Sequence, residues 1–193
     1  MPIAVTVLLL AAAWRVFILY VPELSNFAPV MALAFCAGVY SKNRWLWAAP
    51  FAALVVSDLY IDYHYAAVYR YEWTLGGEAI RIACFAAGLG IGILASRRRS
   101  WSGLLAGVLG SSVLFYLVTN TASWAGDFAY PRGLAGWWQA VTVGHPQYLP
   151  TLFFFRNSLV SDLLFTGLFA VMMEYALRRR GSPSLVGLKQ VGR

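Results

Sequence analysis

The sequence predicts an all-α integral membrane protein, a bundle of about six transmembrane helices with both termini in the cytoplasm. The first observation behind this prediction is composition. The 193 residues are 60% hydrophobic and 12% charged, with a mean hydropathy of +0.64, whereas a soluble domain is about half apolar and about a quarter charged. The second is a series of continuous apolar stretches, each long enough to cross a hydrocarbon layer of about 30 Å. Backbone amides find no water in that layer, so such runs predict helices rather than the alternating strands of a barrel.

Six stretches are predicted to span the membrane, namely residues 3–21, 27–41, 44–64, 75–96, 101–121 and 152–177. The first is interpreted as a retained helix, because it has no basic start and no clear cleavage site. The second is short, and Pro29 near its start predicts a tilted or irregular beginning. Between the last two spans, residues 133–144 are predicted to form an interfacial helix carrying Trp137 and Trp138. We expect one domain over residues 1–180 and a short basic cytoplasmic tail over residues 181–193.

Basic residues gather on one side of the predicted bundle, which is the third observation. The opposite loops hold only Arg70 and Arg132. By the positive-inside rule the basic side is cytoplasmic. The net charge of +7 is thereby explained, and we do not expect nucleic acid as a partner. Ten of the 15 basic residues lie on this side: Lys42, Arg44, Arg97, Arg98, Arg99, Arg178, Arg179, Arg180, Lys189 and Arg193.

Strongly polar groups inside the predicted spans fall in the extracytoplasmic half, and the inner halves read as almost purely apolar. An ionisable group costs roughly 2.5–3.5 kcal/mol on insertion scales, so it persists where it pairs or serves a function. A channel would need polar groups along its whole length, so the pattern favours a cup that opens outward. The candidate substrate-binding residues are Arg15, Asn26, Asp58, Asp62, Arg81, Asn120, Trp124, Arg156, Asn157 and Asp162.

The same charges could instead bind only one another and hold helices together. Residues 54–59 and 159–163 also share a Ser-Asp-Leu core, which is compatible with an internal duplication or with chance. Small residues in the first, fourth and fifth spans indicate close helix packing or a surface for a membrane partner. The candidate structural pairs are Glu78 with Arg81, Arg15 with Asp58, and Arg156 with Asp162.

Motifs for catalysis and for metal binding are weak. His64 and His145 are lone histidines in or near outer loops, and Cys36 and Cys84 lie within apolar segments, where free cysteine usually acts as a small hydrophobe. The sequence contains no GxSxG, HExxH, Walker or CxxC pattern. We therefore expect no catalytic residue, no metal site and no cofactor.

Four segments resemble a bacterial membrane family, the domain of unknown function 6580. They are residues 26–34, which begin Asn-Phe-Ala-Pro-Val, residues 117–120 with Trp124 following, residues 130–136 and residues 155–164. The resemblance extends over residues 26–175. The family's label implies transport without a known substrate, and its bacterial origin implies the inner membrane as location.

The predicted layout also resembles the substrate-binding S-components of energy-coupling-factor vitamin transporters. These are small six-helix proteins with both termini inside and a ligand near the outer surface. The resemblance implies an uptake subunit that binds a small molecule, such as a vitamin, and works with an energising transporter module.

Two other functions remain open from the sequence. An intramembrane enzyme could use Asp58 or His145 for acid–base chemistry. A structural or assembly subunit would bind no ligand at all.

Overall fold

The structure is a computed structural model that describes residues 2–70, 74–98, 100–179 and 181. Throughout these residues all regular structure is helical. Arg99, Arg180 and the predicted tail beyond residue 181 lie outside the described residues. The α-helices are α1 (Pro2–Phe17), α2 (Val30–Tyr40), α3 (Arg44–Tyr69), α4 (Leu75–Arg98), α5 (Trp101–Gly126), α6 (Leu134–Val141) and α7 (Thr151–Arg179).

Four helices, α3, α4, α5 and α7, are long and apolar enough to cross a membrane. The chain is therefore a multi-pass membrane protein. Asn43 caps the start of α3, because its side-chain oxygen accepts a hydrogen bond from the Trp45 amide at 3.0 Å. Ser100 caps α5 in the same way, since its hydroxyl oxygen accepts a hydrogen bond from the Gly103 amide at 3.0 Å. Such caps satisfy amides that the first turn of a helix leaves unpaired.

The first two predicted spans are shorter than expected. The helix α1 ends at Phe17 and gives way to two 3₁₀ turns, Ile18–Tyr20 and Pro22–Leu24. The helix α2 begins only at Val30, because Asn26 adopts a left-handed backbone with φ 64° and Pro29 precedes the first turn. With 11 residues at ~1.5 Å each, α2 covers about half of a ~30 Å hydrocarbon layer. The predicted irregular beginning at Pro29 is therefore confirmed, whereas the helices themselves are shorter than the predicted stretches of residues 3–21 and 27–41.

The short helix α2 lies at the centre of the bundle. It packs on α3, α4, α5 and α7, and most of its residues are buried. Its closest neighbour is α4, which it crosses where Gly38 faces Gly92. A Cβ atom on Gly38 would collide with the Leu89 carbonyl oxygen, and one on Gly92 with that of Phe35. Glycine at both positions thus lets the two backbones touch.

Two apolar clusters follow each other along α2. The first joins α2 to α3 and α4, and Phe115 of α5 packs against it. The second joins α2 to α5 and α7. Their buried members are Val30, Met31, Ala34, Leu54 and Phe85 in the first cluster, and Phe35, Cys36, Leu104, Val108 and Ala170 in the second.

The long helices alternate in direction, so the bundle has two distinct ends. We call one the basic end, because it holds the α2–α3 turn with Lys42, the end of α4 with Arg97, and the end of α7 with Arg178. We call the other the aromatic end. It holds residues 18–29 and residues 127–150, and these include α6, which lies inside the predicted interfacial helix of residues 133–144.

Candidate functional site

An ion-pair network joins α1, α3 and α4 toward the aromatic end. Asp58 of α3 lies at its centre, with one carboxylate oxygen 2.7 Å from Arg15 Nη2 and the other 3.5 Å from Arg81 Nε. Arg81 also pairs with Glu78 on its own helix and lies 3.8 Å from Asp62. We call these five residues the arginine network. The predicted pairs of Arg15 with Asp58 and of Glu78 with Arg81 are confirmed.

Arg15 is fixed by more than its ion pair. Its guanidinium group donates to Ser57 Oγ at 2.5 Å and to the Leu54 carbonyl at 3.2 Å. The Arg15 and Asp58 side chains are 12% and 5% exposed, so the contact is largely removed from solvent. In this network three carboxylates face two guanidinium groups. Both arginines are therefore compensated, and neither offers a free positive charge to an anionic ligand.

The polar residues of α7 near the aromatic end fix the connection between α1 and α2. Asn157 donates to the carbonyls of Glu23 and Ser25 at 2.8 and 2.9 Å. Ser161, one turn further on, donates to the Ala28 carbonyl at 2.9 Å. Main-chain carbonyls outside the α-helices need partners other than the helical hydrogen bonds. Asn157 provides such partners, so it has a structural role.

Arg156 and Asp162 do not pair, so that predicted bridge is wrong. The Arg156 guanidinium lies over the Phe153 ring, 4.4 Å from its centre, and donates to Asn157 Oδ1 at 3.1 Å. Asp162 is 3% exposed and accepts a hydrogen bond from Ser112 Oγ of α5 at 2.6 Å. A separation of six positions places these side chains on different faces of one helix.

A small cavity lies between α5, α7 and the α1–α2 connection. Its volume is about 100 Å³, and it contains the side chains of both Asn26 and Asn120. The Asn120 amide is positioned by a bond from Nδ2 to the Tyr116 carbonyl at 2.7 Å. We call it the asparagine cavity. It is lined by Asn26, Phe115, Tyr116, Thr119, Asn120, Thr151, Phe154, Phe155 and Ser158.

Trp124 lies outside that lining, at the end of α5. Its indole nitrogen donates to the Pro131 carbonyl at 3.1 Å, and the indole of Trp137 donates to Thr121 Oγ1 at 3.0 Å. These bonds tie α6 and its loop to α5. Trp124 thus stabilises the loop between α5 and α6.

The predicted site residues therefore divide into separate groups. Four belong to the arginine network, and two line the asparagine cavity. The first apolar cluster lies between them, since the carbonyl of its Leu54 binds Arg15 while the Phe115 ring that packs on it also lines the cavity. The prediction of one cup shared by all ten residues does not match this arrangement.

Polar groups also occur toward the basic end, and the sequence analysis missed them. Glu174 of α7 is 4% exposed and lies beside the Tyr40 hydroxyl of α2. Asp162, Thr166, Ala170 and Glu174 are all buried at four-residue intervals on α7. The prediction that the inner halves are almost purely apolar is therefore wrong, and this i, i+4 spacing was the available signal.

A second cavity, of about 300 Å³, lies at the basic end. It is formed by the end of α2, the α2–α3 turn, the first turn of α3 and the end of α4. We call it the basic-end cavity. Its lining consists of Gly38, Val39, Tyr40, Ser41, Lys42, Trp47, Ile93 and Ser96.

The two histidines lie among aromatic rings at the aromatic end. His64 stacks near Tyr60, and His145 Nε2 is 3.7 Å from an Asp127 carboxylate oxygen. Burial raises the pKa of the nearby Tyr130 hydroxyl, and the Asp127 charge adds to that increase. Cys36 and Cys84 are free and buried. Within the described ranges, no three His, Cys, Asp or Glu side chains are grouped to hold a metal ion.

These observations define a small, all-helical, multi-pass membrane protein with a compensated ion-pair network and a cavity near each end. The chain belongs to the family of unknown function DUF6580, whose model matches residues 1–185. No curated protein matches the chain. No solved structure matches it either, so the resemblance to S-components stays a prediction.

Proposed function

We propose that the protein is a small-molecule uptake protein, a substrate-binding membrane subunit similar in kind to S-components. In this proposal the chain crosses the membrane six times, and the α1–α2 connection provides the part of the second crossing that the short helix α2 does not cover. The basic end faces the cytoplasm and the ligand arrives at the aromatic end. The distribution of described basic residues supports the orientation, because Lys42, Arg97 and Arg178 lie at one end.

The asparagine cavity is the observation that carries this proposal. Two amide side chains, Asn26 and Asn120, meet there beside aromatic rings from α5 and α7. Polar groups that fix a ligand's orientation, set beside aromatic rings, are typical of small-molecule sites. Asn26 has a left-handed backbone with φ 64°, a conformation that asparagine adopts more readily than most residues, and such positions cluster at ligand sites.

The chemistry of the asparagine cavity, compared with that of the arginine network, favours a neutral ligand. The cavity offers amides and hydroxyls, while Arg15 and Arg81 are already paired with carboxylates. Its volume of about 100 Å³ is below the ~300 Å³ lower limit of usual ligand pockets. A vitamin-sized ligand would therefore require the α1–α2 connection to move away from Asn157 and Ser161.

Energy for uptake would come from elsewhere. The sequence has no nucleotide-binding motif, so active transport would need an energising module or a coupling ion.

Native mass spectrometry of protein purified from its own membranes tests the proposal. We expect a retained small molecule on the wild-type chain and its loss from Asn120→Leu, which keeps the size but removes the amide. The matched control is Gln139→Leu, since Gln139 lies on α6 and outside the cavity lining. Equal retention by both variants, or no retained molecule on the wild type, would refute ligand binding at this cavity.

The enzyme and assembly alternatives have less support. Asp58 is compensated by two arginines, which does not suit a general base. His145 and Asp127 lie near each other in the loop, and an enzyme would lose turnover when either is replaced. A pure assembly subunit would tolerate matched apolar replacement of Asn26 and Asn120 without any loss of a bound molecule.

A further inference from the structure

The basic-end cavity is larger than the asparagine cavity, at about 300 Å³ against about 100 Å³, and the proposed uptake function leaves it unused. It opens where α2 ends and α3 begins, at the end of the bundle where the proposed orientation places the cytoplasmic lipid headgroups. Trp45 in the first turn of α3 is 83% exposed, which is typical of a ring at the membrane boundary. A headgroup can therefore reach the cavity laterally.

Among the described residues that line this cavity, the single formal charge is the ammonium group of Lys42. No carboxylate is among the described lining residues, although the buried Glu174 lies behind one of them, Tyr40. The exposed Arg44 and Arg97 flank the cavity in sequence. The hydroxyls of Ser41 and Ser96 also line it. They donate to the main-chain carbonyls of Asn43 and Ile93 at 3.3 and 2.6 Å, and such hydroxyls rotate freely toward a better acceptor.

Contacts between α2, α3 and α4 hold the wall of the cavity together. The Trp47 indole nitrogen donates to the Ser41 carbonyl at 3.0 Å, which ties the first turn of α3 to the end of α2. The contact of Gly38 with Gly92 holds α2 against α4 at the same level. The backbone that carries Lys42 and the two serines is thus held by contacts within the bundle, which reduces the entropy lost on binding.

We propose that the basic-end cavity binds a phosphate group, carried either by an anionic phospholipid headgroup or by a free anion. A lysine ammonium group in a lining with rotatable hydroxyls, and with no carboxylate among the described lining residues, matches the needs of a phosphate. Basic pockets between membrane helices on the cytoplasmic side are suited to such headgroups. The inference is independent of the ligand proposed for the asparagine cavity.

Native mass spectrometry in neutral detergent tests this site with phosphatidylglycerol and, for comparison, phosphatidylcholine. We expect Lys42→Gln to weaken phosphatidylglycerol binding about tenfold, the loss typical of one hydrogen bond to a charged group. The matched control Arg44→Gln removes the same charge two residues away, outside the cavity lining, and should change binding less than twofold. Ser96→Phe fills the cavity without changing charge and should weaken binding as Lys42→Gln does.

Equal weakening by Lys42→Gln and Arg44→Gln would overturn the proposal, because diffuse surface charge would then explain the binding. Equal binding of the two lipids by the wild type would overturn it as well. Adding inorganic phosphate at millimolar concentration separates the two sources. Displacement of bound phosphatidylglycerol assigns the cavity to a free anion, and retention assigns it to the lipid headgroup.

Discussion

Replacing Asp58 with Asn removes the central carboxylate of the arginine network without changing the size of the side chain. Arg81 keeps two partners, Asp62 and Glu78. Arg15 keeps only neutral ones, the Ser57 hydroxyl and the Leu54 carbonyl. The variant therefore leaves one guanidinium group, 12% exposed, without a counter-ion.

The size of this effect follows from the geometry. At the 2.7 Å that separates Arg15 Nη2 from Asp58 Oδ1, the Coulomb attraction is roughly 6 kcal/mol for an effective dielectric constant of about 20. The cost of removing both charges from water offsets part of this attraction. Breaking a buried pair from one side typically costs ~3–5 kcal/mol. Because two neutral acceptors remain, we expect Asp58→Asn to lower the free energy of unfolding by about 3 kcal/mol.

The assay is unfolding in mixed micelles, followed by tryptophan fluorescence, with the variants arranged as a double-mutant cycle. The double variant of Arg15→Gln and Asp58→Asn should recover at least about 1 kcal/mol relative to the sum of the single changes. Asp127→Asn, at a loop carboxylate whose side chain is 44% exposed, should stay within about 0.5 kcal/mol of the wild type. Additive single changes, or an Asp58→Asn variant as stable as the wild type, would refute the network as a source of stability.

Three further predictions concern topology and packing. Phe128→Cys, at a 92% exposed position, should react with an impermeant maleimide on intact cells, whereas Trp45→Cys should react only after permeabilisation, and the reverse pattern would invert the proposed orientation. Gly92→Ala should destabilise the bundle by about 1–3 kcal/mol in thermal unfolding because its Cβ would collide with main chain, whereas Gly90→Ala, which faces open space, should be close to neutral. Ser112→Ala removes the hydroxyl that binds the buried carboxyl of α7 and should cost about 1–3 kcal/mol in the same assay, so an unchanged midpoint would mean that this bond contributes little.

The helical membrane class and the long helices were predictable from the sequence, because hydrocarbon thickness and backbone pairing determine them directly. Predicted residues 44–64, 75–96 and 101–121 fall inside α3, α4 and α5, and residues 152–177 inside α7. The pairing of Glu78 with Arg81 was predictable too, since it depends on helical spacing alone.

The position of α2 could not be predicted, because an apolar side chain looks the same in sequence whether it faces lipid or protein. Its shortness and its glycine contact with α4 become meaningful only once four neighbours surround it. The division of the predicted site residues between the arginine network and the asparagine cavity could not be predicted for a similar reason. Estimating depth along each helix placed Arg15 and Asn120 in the same extracytoplasmic half, but depth carries no information on which helices are adjacent.

Glu174 illustrates a different limit. A carboxylate close to the basic end of a helix reads as an interfacial group in the sequence, where water would accept it. The structure instead buries it beside Tyr40 of α2. Whether Glu174 is exposed to water or buried depends on which way its face of α7 points, and the sequence does not show that direction.

The buried polar face of α7 has a consequence for how the chain is made. Asp162 near the middle of this helix would cost roughly 2.5–3.5 kcal/mol if α7 entered lipid alone. Because α7 follows α2 and α5 in the sequence, it leaves the ribosome after both of these helices, which carry the groups that contact its polar side chains. Biosynthetic order thus provides a prepared docking surface, and a circular permutant that begins with α7 would insert less efficiently than the natural chain.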